Sequence, residues 1–141
     1  MSSKATQYSG EQLYRKLSAL AEGLLYPSET DATIEVFFWN SKERGELTLD
    51  ALCDLYGISP EEHVVSVPPE DFFDGVTDVF DWQTPEERQA SVRFAEMRDL
   101  FFANTSKAKH YWVGEGTVMV FLWGKAYDGN YVGFQTYIVE T

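Results

Sequence analysis

The sequence predicts an α/β fold of the α+β type, a three-layer α/β/α sandwich with a mixed, largely antiparallel sheet. Two segments carry apolar residues at helical spacing, and each such helix needs a sheet face to cover. Segments with strand-like alternation are concentrated in the last third of the chain. A chain of 141 residues can bury one hydrophobic core, so we expect a single domain over residues 1–141. The predicted element order is α-β-α-β-α-α-β-β-β.

The first predicted helix begins at a capping-box pattern. Ser9 can accept a hydrogen bond from the backbone three residues later, where the side chain of Gln12 can reach back. Leucines then recur at helical spacing until Pro27 stops the pattern, which predicts a helix over residues 10–25. After a short acidic connection, residues 33–39 are rich in β-branched and aromatic side chains and predict a strand.

Two more helices and a short strand are predicted in the middle of the chain. Thr48 is a suitable N-cap for a short apolar helix, which Gly57 ends. Residues 63–67 predict a brief strand, which two prolines and one helical turn follow. Thr84, with proline next and glutamate three residues later, marks the start of a long helix. Apolar residues on one face extend this helix to about Ala103.

The last third of the chain predicts three strands. Residues 111–113 precede a glycine-containing turn, residues 117–125 alternate, and an Asp-Gly-Asn turn leads to the alternating run 131–139. Glu140 and Thr141 follow that run. Because the last strand belongs to the core, we expect it to hold the carboxylates and the hydroxyl of these two residues at one fixed point.

The charge balance restricts the classes of partner. Eleven Lys and Arg residues against twenty-three Asp and Glu residues give a formal net charge of −12. Phosphate backbones are bound by Lys and Arg, so this surface would repel nucleic acid and anionic membranes. It would attract a basic partner and speed the encounter at low salt. The alternative is that the acidity serves only solubility.

The cysteine content and the polar first residues predict a soluble cytoplasmic protein. Cys53 is the only cysteine, which excludes a disulfide-stapled secreted scaffold. The N-terminal residues do not contain the apolar stretch of a signal peptide. The apolar runs are also shorter than the roughly 20 residues that a membrane span needs.

The sequence contains incomplete versions of several catalytic and metal-binding motifs. Gly114 and Gly116 lack the third glycine of a dinucleotide-binding loop and precede a strand, so they predict a turn. A zinc site needs three or four ligands. Cys53, His63 and His110 are a single cysteine and two distant histidines, so they do not predict such a site. We therefore expect no catalytic residues and no cofactor. A Cys53–His63 nucleophile pair stays open, although a buried structural cysteine is the more common case.

Acidic residues in two connections are candidates for partner binding. Glu29 lies between the first helix and the first strand, and Asp81 stands beside Trp82 before the long helix. Tryptophan often anchors an interface, and carboxylates pair with arginine. The alternative is that Trp82 packs under the following helix and that the acids are simply solvated.

Taken together, these segments resemble the nuclease A inhibitor family, whose members are small acidic cyanobacterial inhibitors of a sugar-non-specific nuclease. The resemblance is carried by residues 23–30 and 35–39, by Asp81 and Trp82 before the long helix, and by residues 139–141. The resemblance is weakest from about Asn40 to Pro60. The family fold is an α/β/α sandwich, in agreement with the element order above.

The resemblance implies a stoichiometric inhibitor that covers the active site of a magnesium-dependent, sugar-non-specific endonuclease of the ββα-metal type. Thr141 would reach the catalytic metal, as a ligand only in the complex, and Glu29 would engage basic residues of the enzyme. Glu140, Asp81 and Trp82 complete the expected partner-binding residues. We expect a 1:1 complex with the basic site of the nuclease, a free monomer, and no nucleic acid or membrane partner. An acidic protein-binding module with a non-nuclease partner is the alternative, and a free-standing enzyme is a third possibility.

Overall fold

All the helices precede the three long strands at the end of the chain in the computed structural model, which describes residues 7–59 and 61–140. The helices are α1 (Gly10–Ala21), α2 (Ser41–Arg44), α3 (Leu49–Tyr56) and α4 (Pro85–Asn104), with a 3₁₀-helix at Pro69–Phe73. The strands are β1 (Leu25–Tyr26), β2 (Ala32–Thr33), β3 (Glu35–Trp39), β4 (Val64–Ser66), β5 (Ser106–Val113), β6 (Thr117–Lys125) and β7 (Tyr131–Val139). The predicted α+β class is confirmed.

The first third of the chain contains more elements than predicted. Helix α1 ends at Ala21, earlier than expected, because Gly23 has a positive φ of 78° and turns the chain into a hairpin. That hairpin pairs β1 with β2 antiparallel, with Leu25 opposite Thr33. The additional one-turn helix α2 follows β3, since the Asn40 side chain accepts hydrogen bonds from two backbone N–H groups of its first turn.

Five strands form the central sheet in the order β3-β7-β6-β5-β4. All four pairs are antiparallel, so the sheet is more uniform than the mixed, largely antiparallel sheet expected. Strands β5, β6 and β7 follow one another through short connections, which antiparallel neighbours permit and parallel neighbours do not. Strands β3 and β4 lie at the two edges, and the chain between them contains α2 and α3.

The side chains of β6 alternate between two apolar clusters, one on each face of the sheet. Val120 and Leu122 belong to the cluster that α1 and α4 complete. Phe121 and Trp123 belong to the other cluster, which includes Leu52 of α3. Helices α1 and α4 therefore pack against one face, and α3 packs against the other.

Both predicted capping boxes are present. Ser9 Oγ accepts from the Gln12 N–H at 3.2 Å, and the Gln12 side chain accepts from the Ser9 N–H at 3.0 Å. Thr84 and Glu87 exchange the same two bonds at 3.1 and 2.8 Å. These bonds satisfy N–H groups that the start of a helix leaves unpaired, which fixes where α1 and α4 begin. None of the helices in the described ranges is long and apolar enough to cross a membrane.

Candidate partner-binding site

The loop between β1 and β2 lies beside the end of β7. Ser28 Oγ accepts a hydrogen bond from the backbone N–H of Val139 at 3.0 Å, and the Ser28 hydroxyl donates to the Thr30 carbonyl at 2.8 Å. The two bonds place Glu29, which is exposed, next to the end of β7. Two segments that the sequence predicted separately, around Glu29 and around Glu140, are thus brought together.

The other side of β7 is held by the β5–β6 turn. Thr117 pairs with Val139 in the β6–β7 ladder, and the Glu140 N–H donates to the Gly116 carbonyl at 2.7 Å. Gly116 has a φ of 74°, a conformation that glycine adopts without strain. We call residues 28–30, 115–117 and 139–140 the terminal surface. Since both flanks of β7 are hydrogen-bonded there, the position of Glu140 is fixed by the sheet.

The hairpin that carries Glu29 is anchored below the loop. Thr136 of β7 donates its hydroxyl hydrogen to the Thr33 carbonyl at 2.8 Å. Tyr26 is buried, and its hydroxyl donates to the Phe72 carbonyl at 2.6 Å. Burial, with smaller contributions from Asp74 and Asp71, raises the pKa of Tyr26 to about 12. Tyr26 therefore remains a hydrogen-bond donor at neutral pH and keeps β1 against the 3₁₀-helix.

The terminal surface carries exposed carboxylates. Glu29, Glu115 and Glu140 are all exposed on it. Ion pairs in residues 7–59 and 61–140 join Arg15 with Glu11 and Arg98 with Asp99, on α1 and α4. The charges of Glu115 and Glu140 are thus uncompensated, and they favour a basic partner. The described residues include no group of three or more His, Cys, Asp and Glu side chains placed to hold a metal ion.

Thr141, the expected ligand to the partner's metal, lies outside the described residues. Pro60 lies outside them as well. The neighbouring residue, Glu140, is described, and its backbone N–H donates to the Gly116 carbonyl as stated above.

Asp81 and Trp82 lie before α4, in a second surface region. Trp82 is 75% exposed and stacks on Phe80, with ring centroids 5.3 Å apart and 10° between the planes. Arg88 donates to the Asp81 carbonyl at 3.3 Å and to the Gln83 carbonyl at 2.9 Å, so the segment is tied to its own helix. The alternative in which Trp82 packs under that helix is wrong, because the side chain is exposed.

The structure does not bring this second region to the terminal surface. Among the described residues, no hydrogen bond or ring contact of Asp81 or Trp82 reaches residues 28–30, 115–117 or 139–140. Sequence reasoning also missed three participants, namely Ser28, Glu115 and Phe80. The sequence could have indicated Ser28, since the hydroxyl of a serine in a turn commonly hydrogen-bonds to the backbone two residues later.

Cys53 does not form a nucleophile pair with His63. Cys53 is buried on α3, and burial, followed by the nearby charges of Asp50 and Asp54, raises the pKa of its thiol. A raised thiol pKa lowers the fraction of reactive thiolate. In the described part of the chain, the His63 side chain makes no hydrogen bond to Cys53, and the His63 carbonyl accepts from the Gly114 N–H at 2.8 Å.

Comparison with known proteins identifies the family. A family model described as nuclease A inhibitor-like protein (NuiA) matches residues 11–141. No match was found among curated proteins. The matched range contains the β1–β2 loop, the Asp81–Trp82 segment and the end of β7. It also spans residues 40–60, where the resemblance read from the sequence is weakest. The chain belongs to the nuclease A inhibitor-like family.

Proposed function

We propose that this protein is a stoichiometric inhibitor of a magnesium-dependent, sugar-non-specific endonuclease and that it covers the enzyme's active site. Membership of the nuclease A inhibitor-like family supports the inhibitor class. The structural observation that carries the mechanism is the hydrogen bond between the Val139 N–H and Ser28 Oγ, at 3.0 Å. This bond brings Glu29 and Glu140 to one acidic surface.

The acidic surface imitates the charge of the substrate. A nuclease site is electropositive because it must hold phosphates. The carboxylates of Glu29 and Glu140 would accept charge-assisted hydrogen bonds from arginine and lysine side chains in that site. They offer no phosphodiester bond to cleave, so the enzyme stays occupied.

Thr141 would extend from the terminal surface to the catalytic metal of the nuclease. The family resemblance assigns this contact, and magnesium prefers hard oxygen ligands and keeps coordination positions open for substrate. The metal would be the enzyme's own. The Glu140 N–H is already bonded to the Gly116 carbonyl. Glu140 would therefore lose little conformational entropy in the complex, which favours tight binding.

Asp81 and Trp82 would form a separate contact with the nuclease. An exposed tryptophan held by a stacked phenylalanine is a typical interface anchor, since it buries a large apolar area at low cost in conformational entropy. The complex would then have two contact regions on the inhibitor. A 1:1 stoichiometry, a monomeric free inhibitor and a cytoplasmic location remain predictions from the sequence.

The proposal is tested with nuclease A, magnesium and plasmid DNA. We expect the purified protein to stop plasmid degradation at a 1:1 molar ratio. Glu29→Ala combined with deletion of Thr141 should weaken inhibition at least a hundredfold, because each removes a charged contact of about 1.5–3 kcal/mol. Glu43→Ala, an exposed change on α2, is the matched control and should have no effect.

Full inhibition by the doubly changed protein at a 1:1 ratio would show that the active-site mechanism is wrong. If the unchanged protein does not inhibit nuclease A even in excess, the alternative of an acidic binding module with a non-nuclease partner replaces this proposal.

A further inference from the structure

A groove of about 480 Å³ lies on the α3 face of the sheet, beside the terminal surface. Its lining includes Tyr56, Ile58, Glu62, Glu115, Met119 and Tyr137. The groove and the terminal surface share the β5–β6 turn, whose Gly116 carbonyl accepts from the Glu140 N–H. We call this cavity the α3 groove. A partner bound at the terminal surface would lie directly against its opening.

The charged side chains of the α3 groove are both acidic. Glu62 and Glu115 are exposed, and no Lys or Arg is among its described lining residues. The Glu62 carboxylate faces the β5–β6 turn, since a Cβ atom built on Gly114 would be 3.8 Å from Glu62 Oε2. In the described structure neither carboxylate has an ion pair or a side-chain hydrogen bond. Their lone pairs are therefore available to a cationic group.

Two tyrosines, Tyr56 and Tyr137, line the groove. Tyr56 donates its hydroxyl hydrogen to the Glu35 carboxylate. Burial and this bond to Glu35 raise the pKa of Tyr56, so the phenol stays neutral and its oxygen can accept a further hydrogen bond. Tyr137 is 39% exposed and lines the groove. Tyrosine faces attract cations, and planar guanidinium groups stack on them.

We propose that the α3 groove receives an arginine side chain from the nuclease, as a second anchor next to the terminal surface. This inference rests on the proposed function. Arginine fits better than lysine, because its planar fork can donate to Glu62 and Glu115 while its face lies on the ring of Tyr137. The contact extends the interface from the end of β7 onto the α3 face of the sheet.

The experiment compares two doubly neutralised proteins in binding to nuclease A. Glu62→Gln with Glu115→Gln changes the groove, and Glu43→Gln with Glu96→Gln changes two exposed glutamates on α2 and α4. Both pairs change the formal net charge from −12 to −10. We expect the groove pair to dissociate at least tenfold faster in surface plasmon resonance, because it removes charge-assisted hydrogen bonds, and the control pair to change less than threefold.

Equal dissociation rates for the two pairs would overturn the groove inference alone, provided that the unchanged protein inhibits nuclease A. If the unchanged protein neither binds nor inhibits, the proposed function fails and the groove inference fails with it. Thermal unfolding serves as the folding control, and we expect it to be unaltered, since neither Glu62 nor Glu115 has a side-chain hydrogen bond in the described structure.

Two further measurements identify the side chain in the groove. Tyr137→Ala should also speed dissociation, whereas Tyr127→Ala, which removes an exposed tyrosine from the opposite end of the β6–β7 hairpin, should not. In ¹⁵N-labelled nuclease A, one arginine Nε–H signal should shift in the complex with the unchanged inhibitor but not in the complex with the groove pair, whereas signals of arginines at the terminal surface should shift in both. If no arginine signal differs between the two complexes, the proposed occupant is wrong.

Discussion

His110 is a buried imidazole whose two ring nitrogens differ in their surroundings. The side chain is 2% exposed and lies against Phe72, with ring centroids 5.7 Å apart. Its Nδ1 lies 2.9 Å from the Pro68 carbonyl, which requires the proton to be on Nδ1, whereas Nε2 is buried with no hydrogen-bond partner in the described structure. Burial lowers the pKa of His110, although the Pro68 carbonyl, Asp71 and Glu70 act in the opposite direction. The folded protein therefore favours the neutral ring.

The stability of the protein should decrease as the pH falls through the normal range of histidine. In the unfolded chain His110 takes up a proton near pH 6.5, whereas the folded chain takes it up only at lower pH, so acid favours unfolding. Urea unfolding between about pH 7.5 and 5.5 measures this slope. His110→Phe keeps an aromatic ring in the core and should flatten the slope. Parallel slopes for the two proteins would contradict the assignment.

Ser28 shows what residue-level sequence reasoning could and could not find. Its bond to the Thr30 carbonyl is local, and its residue type and place in a turn predict it. Its bond to the Val139 N–H joins positions 111 residues apart, and nothing in the local sequence encodes that distance. The resemblance supplied Glu29 and Glu140 as a set, but the hydroxyl that places them side by side became visible only in the fold.

Strand β7 is the element on which the architecture depends, because it pairs with β3 on one side and β6 on the other. Gly133 belongs to both ladders: it stands opposite Phe37 at the centre of the β3–β7 pair and opposite Trp123 in the β6–β7 pair. A Cβ atom built there would be 2.4 Å from the Leu122 carbonyl oxygen and 2.5 Å from Phe37 Cζ. Only glycine leaves room for the phenylalanine ring and the neighbouring backbone at this crossing.

Gly133→Ala should therefore destabilise the protein although it adds a single methyl group. The new Cβ must displace backbone as well as a ring, and we expect a loss of about 1–3 kcal/mol in the free energy of unfolding. Ser66→Ala on the exposed edge strand β4 is the control and should change it by less than about 0.5 kcal/mol. Denaturant unfolding measures both. Equal stabilities would contradict the observed register of β3, β7 and β6.

Strands β6 and β7 could be predicted from the sequence, whereas the β1–β2 hairpin and the first five residues of β5, Ser106–His110, could not. Strands β6 and β7 have the predicted bounds, since nine alternating residues define a clear period. The two-residue strands of the β1–β2 hairpin are too short for any period, so residues 22–25 were assigned to the first helix. The hairpin depends on long-range bonds, such as that from Thr136 to the Thr33 carbonyl, and tertiary contacts override local propensity there.

At the scale of the whole molecule, net charge should control how fast the inhibitor finds its target. A charge of −12 attracts an electropositive nuclease site over distances that salt shortens. We expect the association rate constant with nuclease A to fall at least about tenfold between about 0.02 and 0.5 M salt, and the dissociation rate constant to change less. Surface plasmon resonance at several salt concentrations measures both constants. An association rate that does not depend on salt would contradict electrostatic attraction.

The exposed Phe80–Trp82 stack allows binding at the loop before α4 to be followed by tryptophan fluorescence. Trp39 and Trp123 are 4% and 3% exposed, and Trp112 is partly buried, whereas Trp82 is 75% exposed. A small soluble quencher such as acrylamide therefore reaches Trp82 far more readily than the other three indoles. The part of the tryptophan emission that acrylamide quenches therefore reports whether a second molecule covers the loop before α4, without any dye, and it does so separately from events at the end of β7.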